Sequence, residues 1–228
     1  IVVVSNLLYH FDAGHESIDA GNTWTTIDLS AIANALVDIH FINADTGFVC
    51  GMANPSTDGG TILKTIDGGS TWNTLHKTMT SQDYIWKLQT PDGLHYYGSV
   101  EALPATGNVR IVKSNDAGTS WITDTIINSY SYIQTIGFID SLRGWTGGTS
   151  NLFETIDGGL NWNTVSVGSS YNRFFKINNN TAFMSGATIY KFEAGNSTNI
   201  VDTKSIDDIH SLIISPNPAS DLINIEMI

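Results

Sequence analysis

Carboxylates and aromatic rings are the groups in this sequence best able to do chemistry. The chain carries 17 aspartates. Two carboxylates roughly 5–10 Å apart across a cleft can hydrolyse a glycosidic bond, one as acid and the other as base or nucleophile. Asp38 and Asp83 each stand near the start of a predicted strand and are the candidates, although no spacing singles them out as a pair. The second chemistry is recognition. Tyr84, Trp86, Tyr130, Tyr132 and Tyr171 cluster near predicted strand starts, with His40 and Arg173 close by in register. Aromatic faces of this kind stack on sugars or hold peptide, and they also serve plain strand packing.

Other chemistries find no support in the residue pattern. The six histidines share no metal-ligand spacing, and His10 with His15 is only a weak pair. Cys50 is the single cysteine, which excludes an internal disulfide framework and any Cys-rich metal site; it is expected to be a small core residue. No GxxxxGK[ST] phosphate loop occurs. Neither a metal nor a cofactor is expected. Ten Lys plus Arg stand against 22 Asp plus Glu, a formal charge of −12 with no basic run. Such a chain is a poor ligand for nucleic acid or anionic lipid. No apolar stretch approaches the ~20 residues of a membrane helix, so no transmembrane segment is expected.

The elements that must position these groups follow from composition and repeats. The 228 residues suffice for one large domain or two small ones. Hydrophobic residues make up 41% and charged residues 14%, the latter well below the roughly 25% of typical soluble domains. Gly, Ser, Thr and Asn fill the gap, which predicts many short strands and turns. One motif then occurs four times: SIDAGNTW (17–24), TIDGGSTW (65–72), SNDAGTSW (114–121) and TIDGGLNW (155–162). Its aspartates, Asp19, Asp67, Asp116 and Asp157, are 48, 49 and 41 residues apart. A decayed fifth copy is KFEAGNST (191–198).

The motif predicts a hairpin turn. Gly21, Gly69, Gly118 and Gly159 permit a positive φ where the chain reverses. The Asp accepts bonds from turn N–H groups, and the Ser or Thr two residues earlier adds a hydroxyl. Trp24, Trp72, Trp121 and Trp162 are expected to pack against neighbouring repeats.

These residues resemble the Asp-box of sialidase and BNR-repeat propellers, over roughly residues 1–200. The cadence FINADTGFVCG before the second box, and GFIDSLRGWTGG before the fourth, is similar to propellers of the photosystem II stability and assembly factor type. The resemblance implies an all-β propeller of four-stranded antiparallel blades, about five repeat units, and leaves open whether the ring is complete or incomplete. It places the box between the third and fourth strands, away from the ligand face. Blades are expected over about 36–76, 83–127, 132–167 and 171–201, after a partial unit at 1–27. The first strand of each blade begins at the ligand face, which puts the aromatics above, with His40 and Arg173, around a central mouth. The loops Asn54–Gly60 and Ala102–Asn108 reach the same face. Sialidases clamp a carboxylate with three arginines, and this chain has three in all, Arg110, Arg143 and Arg173. Only Arg173 is expected to face the mouth, so no triad converges. The Tyr-Glu nucleophile pair of that family has no counterpart.

The tail carries a second resemblance. Residues 203–211 read as a linker, and LIISPNPASDLINIEMI (212–228) sets strand-like runs about a Pro216-Asn217-Pro218 turn followed by Asp221. This resembles the start of the C-terminal sorting domain of the type IX secretion system of Bacteroidetes. It implies that machinery as a partner and a secreted or outer-membrane-surface location. A chain starting at Ile1 and stopping ten residues after Pro218 is expected to be clipped at both ends. The expectation is therefore a propeller at 1–202, a linker at 203–211 and a truncated sorting domain at 212–228. Its role is expected to be a non-catalytic binding or scaffold module for glycan or protein, including a grip on a partner protein. The alternative is a secreted glycoside hydrolase of sialidase or xyloglucanase type.

Overall fold

The computed structural model describes residues 22–102, 107–129 and 131–194, together with the backbone of four further strands, Ala13–Glu16, Val201–Asp202, Leu212–Ser215 and Asn224–Met227. Repeated antiparallel meanders account for nearly all of it. A hairpin of β1 (Ala13–Glu16) and β2 (Thr25–Asp28) comes first. The first four-stranded sheet is β3 (Ala33–Phe41), β4 (Gly47–Ala53), β5 (Gly60–Thr65) and β6 (Asn73–Lys77). The second is β7 (Asp83–Gln89), β8 (Tyr96–Ala102), β9 (Val109–Ser114) and β10 (Ile122–Ile127). The third is β11 (Ile133–Phe138), β12 (Gly144–Gly148), β13 (Leu152–Thr155) and β14 (Asn163–Val165). The fourth is β15 (Arg173–Asn178), β16 (Thr181–Ser185), β17 (Ile189–Glu193) and β18 (Val201–Asp202). A last hairpin pairs β19 (Leu212–Ser215) with β20 (Asn224–Met227). Among the described residues the one helical element is a single 3-10 turn, Ser56–Asp58. No helix among the described residues is long and apolar enough to cross a membrane.

The core lies between consecutive sheets. The second strands β4 and β12 are buried along their whole length, and β8 along all but its last residue, because each such sheet is covered on both faces. Phe48, Cys50 and Ile62 of the first sheet interlock with Ile85, Tyr96, Val100 and Val112 of the second. Tyr97 and Ile111 of the second meet Ile136 and Phe138 of the third. Trp145 and Leu152 of the third meet Met184, Tyr190 and Phe192 of the fourth. Each large aliphatic or aromatic side chain so buried contributes roughly 1.5–3 kcal/mol. Close approach between blades needs a missing side chain at Gly137, where a Cβ would run into the Phe174 ring.

The repeated turns join the third and fourth strands of the first three sheets. In the first, the Thr65 hydroxyl donates to Asp67 Oδ1 at 2.7 Å and accepts Gly69 N–H at 2.9 Å. Asp67 also accepts Thr71 N–H at 2.9 Å and the Thr71 hydroxyl at 2.6 Å. Ser114, Asp116, Gly118 and Ser120 repeat the pattern. So do Thr155, Asp157, Gly159 and Asn161, the last through its amide. Gly69, Gly118 and Gly159 take φ of 101°, 87° and 77°, a region closed to most side chains. These bonds hold the carboxyls of Asp67, Asp116 and Asp157 down at about 2. The tryptophan that ends each turn packs backwards. Trp72 joins Leu29 and Ala33 ahead of it, Trp121 stacks on His76 of the first sheet at 4.6 Å, and Trp162 meets Tyr97 and Ile111 of the second.

The expected blade ranges and the observed four-stranded sheets agree to within about three residues. Asp19, Gly21 and the second half of the fifth copy lie outside the described residues, as do the linker and Pro216, Asn217, Pro218 and Asp221. Trp24 is described and is exposed.

Candidate functional site

The innermost strands β3, β7, β11 and β15 converge on one cavity. Three of them carry a one-residue β-bulge at the same place: Val37, Trp86 and Gln134 are each the extra residue. A bulge re-aims the side chain that follows it. The residues that follow are Asp38, Lys87 and Thr135, opposite Cys50, Ser99 and Gly147. Arg173, opposite Ser185, holds the corresponding place in β15. Each of the four stands nine residues before the matching point of its second strand, Gly47, Tyr96, Gly144 or Ala182. One backbone position of the repeat thus presents an acid, an amine, a hydroxyl and a guanidinium.

The cavity measures about 350 Å³. Asp38, His40, Lys87, Gln89, Arg173 and Lys176 give it polarity, and Leu88, Ile136, Phe174 and Phe175 make its apolar wall. Asp38 is buried; Arg173 Nη1 lies 3.0 Å from its carboxylate and Lys87 Nζ 3.7 Å. The Arg173–Asp38 pair joins the innermost strands of the fourth and first sheets. Burial pushes the His40 imidazole below its ordinary range, with Arg173 adding to the effect and Asp38 opposing it, so His40 is neutral at pH 7. Gln89 braces the wall: its amide donates to Phe138 O at 3.1 Å and its Oε1 accepts Phe138 N–H. Lys176 Nζ donates to Pro91 O at 3.3 Å.

The structure sorts the residues anticipated from sequence. His40 and Arg173 come together in the cavity, with Asp38. Tyr84 and Trp86 stack on each other, centroids 5.6 Å apart, half-buried at the start of β7. The Trp86 indole N–H is buried without a hydrogen-bond partner among the described residues. Tyr132 is exposed, and Tyr130 lies outside the described residues. Tyr171 departs from expectation: it is buried against Tyr190, ring centroids 5.3 Å apart, where burial pushes its phenol up to about 12. A ring enclosed in the core offers no face to a ligand.

Asp83 also departs. It is fully buried and bound by both terminal nitrogens of the Arg110 guanidinium, Nη1 at 3.0 Å. A carboxylate so engaged is a strut, and Asp38 is the one carboxylate lining the cavity among the described residues. The three arginines stand apart. Arg143 bonds Glu154 at 2.8 Å and lies over the rings of Trp145 and Phe192, at 5.5 and 4.8 Å. Cys50 is buried, and its thiol is pushed well up by that burial. Sequence reasoning missed Lys87, Gln89 and Lys176. The nine-residue offset was the available signal for Lys87, but the bulge that makes it meaningful is visible only in the strand pairing.

No family model matches the chain, and no curated protein matches it. Solved structures do. An ancestral GH74 enzyme is 16% identical with a TM-score of 0.60, over 82% of this chain and 28% of its own. The GH74 xyloglucanase from Xanthomonas campestris is 15% identical with a TM-score of 0.58, over 80% of this chain and 34% of its own. YCF48 from Cyanidioschyzon merolae is 15% identical with a TM-score of 0.56, over 81% of this chain and 64% of its own. The chain therefore spans less than two thirds of the length of each. At such identity the likeness shows the fold alone: this is a β-propeller protein with four-stranded antiparallel blades, and each four-stranded sheet described above is one blade.

Proposed function

We propose that this propeller is a non-catalytic binding or scaffold module of the Asp-box type, exported through a type IX secretion system and held at or released from the outer-membrane surface. The observation that carries the binding role is the stacked, half-buried Tyr84–Trp86 pair at the rim of the second blade. Flat apolar faces with a buried indole N–H beneath them suit a sugar ring or an extended peptide. The three dispersed arginines and the strut role of Asp83 support binding over hydrolysis. The repeated turns support the Asp-box assignment through the hydroxyl–carboxylate–amide pattern of Thr65, Asp67 and Gly69. The secretion reading rests on the PNPASD run alone.

A glycan array set beside a pull-down from the parent cell surface separates sugar from protein ligands. Capture by the intact protein and its loss in a Trp86→Ala protein that still unfolds cooperatively is the expected result. Capture that survives this substitution removes the rim from the account. In the parent cell, loss of the type IX machinery should retain the protein in the periplasm; unchanged surface display would refute the export reading.

A further inference from the structure

We propose that the central cavity is a binding site for a monovalent organic anion, a carboxylate carried on an apolar body. The proposal rests on the binding-module reading but is independent of the aromatic rim.

Charge is the first argument. Lys87, Arg173 and Lys176 line the cavity against the single carboxylate of Asp38, in a chain whose net charge is −12. Three of only ten cationic side chains meeting in one concavity create a local positive field that the protein as a whole opposes. The neutral His40 neither adds to it nor cancels it.

Geometry is the second. Asp38 contacts Arg173 through Nη1, and the Arg173 side chain remains 55% exposed. A guanidinium carries five donors in a planar fork that matches a carboxylate edge. Asp38 occupies one end of that fork and fixes the side chain, which leaves donors for a second carboxylate. Lys87, 16% exposed, is near enough to share the charge. The buried Asp38 also sets the valence, because a dianion such as phosphate would meet a fixed negative charge beside its own.

The apolar wall is the third. Leu88, Ile136 and Phe174 line the cavity, and Phe175, itself 64% exposed, stands at it as an uncovered ring. These groups reward an apolar ligand body and offer nothing to sugar hydroxyls.

The test uses three small probes in NMR titrations of the whole protein: phenylacetate, the near-isosteric neutral phenylacetamide, and galacturonate, a carboxylate on a polar body. Phenylacetate should bind in the millimolar range and shift the Arg173 side-chain signals. Phenylacetamide and galacturonate should each bind about tenfold more weakly or worse. Arg173→Gln should cut phenylacetate affinity about tenfold, and Lys176→Gln, at a site with one backbone contact, should cut it several-fold. Asp38→Asn should act in the opposite direction and tighten binding, because it removes the internal competitor. A purely structural ion-pair cluster would show no such gain. Absence of phenylacetate binding, equal binding of the amide, tighter binding of galacturonate, or weaker binding by a folded Asp38→Asn protein overturns the proposal. Each of these leaves macromolecule capture at the rim standing, since that is read separately through Trp86→Ala.

Discussion

The outer turns and the innermost strands of this propeller obey opposite rules. The three described turns repeat one solution: a Ser or Thr hydroxyl, an Asp carboxylate and a glycine amide in the same bonds, with the glycine at positive φ. The equivalent inner position differs in every blade, Asp38, Lys87, Thr135 and Arg173. A turn has one local problem, unsatisfied N–H groups at a chain reversal, and repeats can solve it identically. An inner position faces the other blades across the cavity, so its chemistry is set by the group opposite. Repetition in this molecule marks what holds the blades, and variation lies in the innermost strands.

Three substitutions test the contrast between turns and inner strands. The largest effect is expected at a non-repeated residue. Asp83→Ala leaves the mostly buried Arg110 guanidinium without its carboxylate and should cost about 3–5 kcal/mol in denaturant unfolding. A loss under about 1 kcal/mol would mean that the strut is dispensable. Next comes a repeated residue. Trp162→Ala removes the half-buried indole that ties the third blade to the second and should cost about 2–3 kcal/mol. The smallest effect is a gain. Ala117 sits at φ 58°, where the other two turns have Gly68 and Gly158, so Ala117→Gly should stabilise by about 1 kcal/mol. A loss of stability there would contradict the shared turn geometry.

Acid should separate two windows. Burial holds His76 at about 4, below its ordinary 6.5, so the unfolded chain takes up the proton first and stability falls as pH drops from 6.5 to about 4. His76→Phe, which keeps the stack on Trp121, should shrink that fall, leaving the part that the buried His40 contributes. Asp67, Asp116 and Asp157 sit at about 2 against an ordinary 3.8. Their contribution is complete above 3.8 and is lost as pH falls towards 2. Asp157→Asn should shrink this lower window and leave the upper one intact.

The same contrast explains what could be read before the structure. The turns were legible because all their bonds close within eight consecutive residues, and blade boundaries followed from their spacing. The cavity was legible only in part. His40 and Arg173 were placed together, but Arg173 meets Asp38 across 135 positions of sequence, and three bulges decide which residues face inward. Tyr171 was misjudged because a tyrosine at a strand start looks the same whether it faces solvent or, as here, Tyr190. Asp83 was misjudged because its partner Arg110 lies two strands away.

The division of labour is tested most directly by measuring melting temperature and ligand capture side by side in Trp86→Ala and Asp157→Asn. Trp86→Ala should lose capture in a protein that still folds cooperatively, and Asp157→Asn should melt lower while capturing fully when folded. Capture lost on changing the turn, or retained without the rim tryptophan, would contradict it.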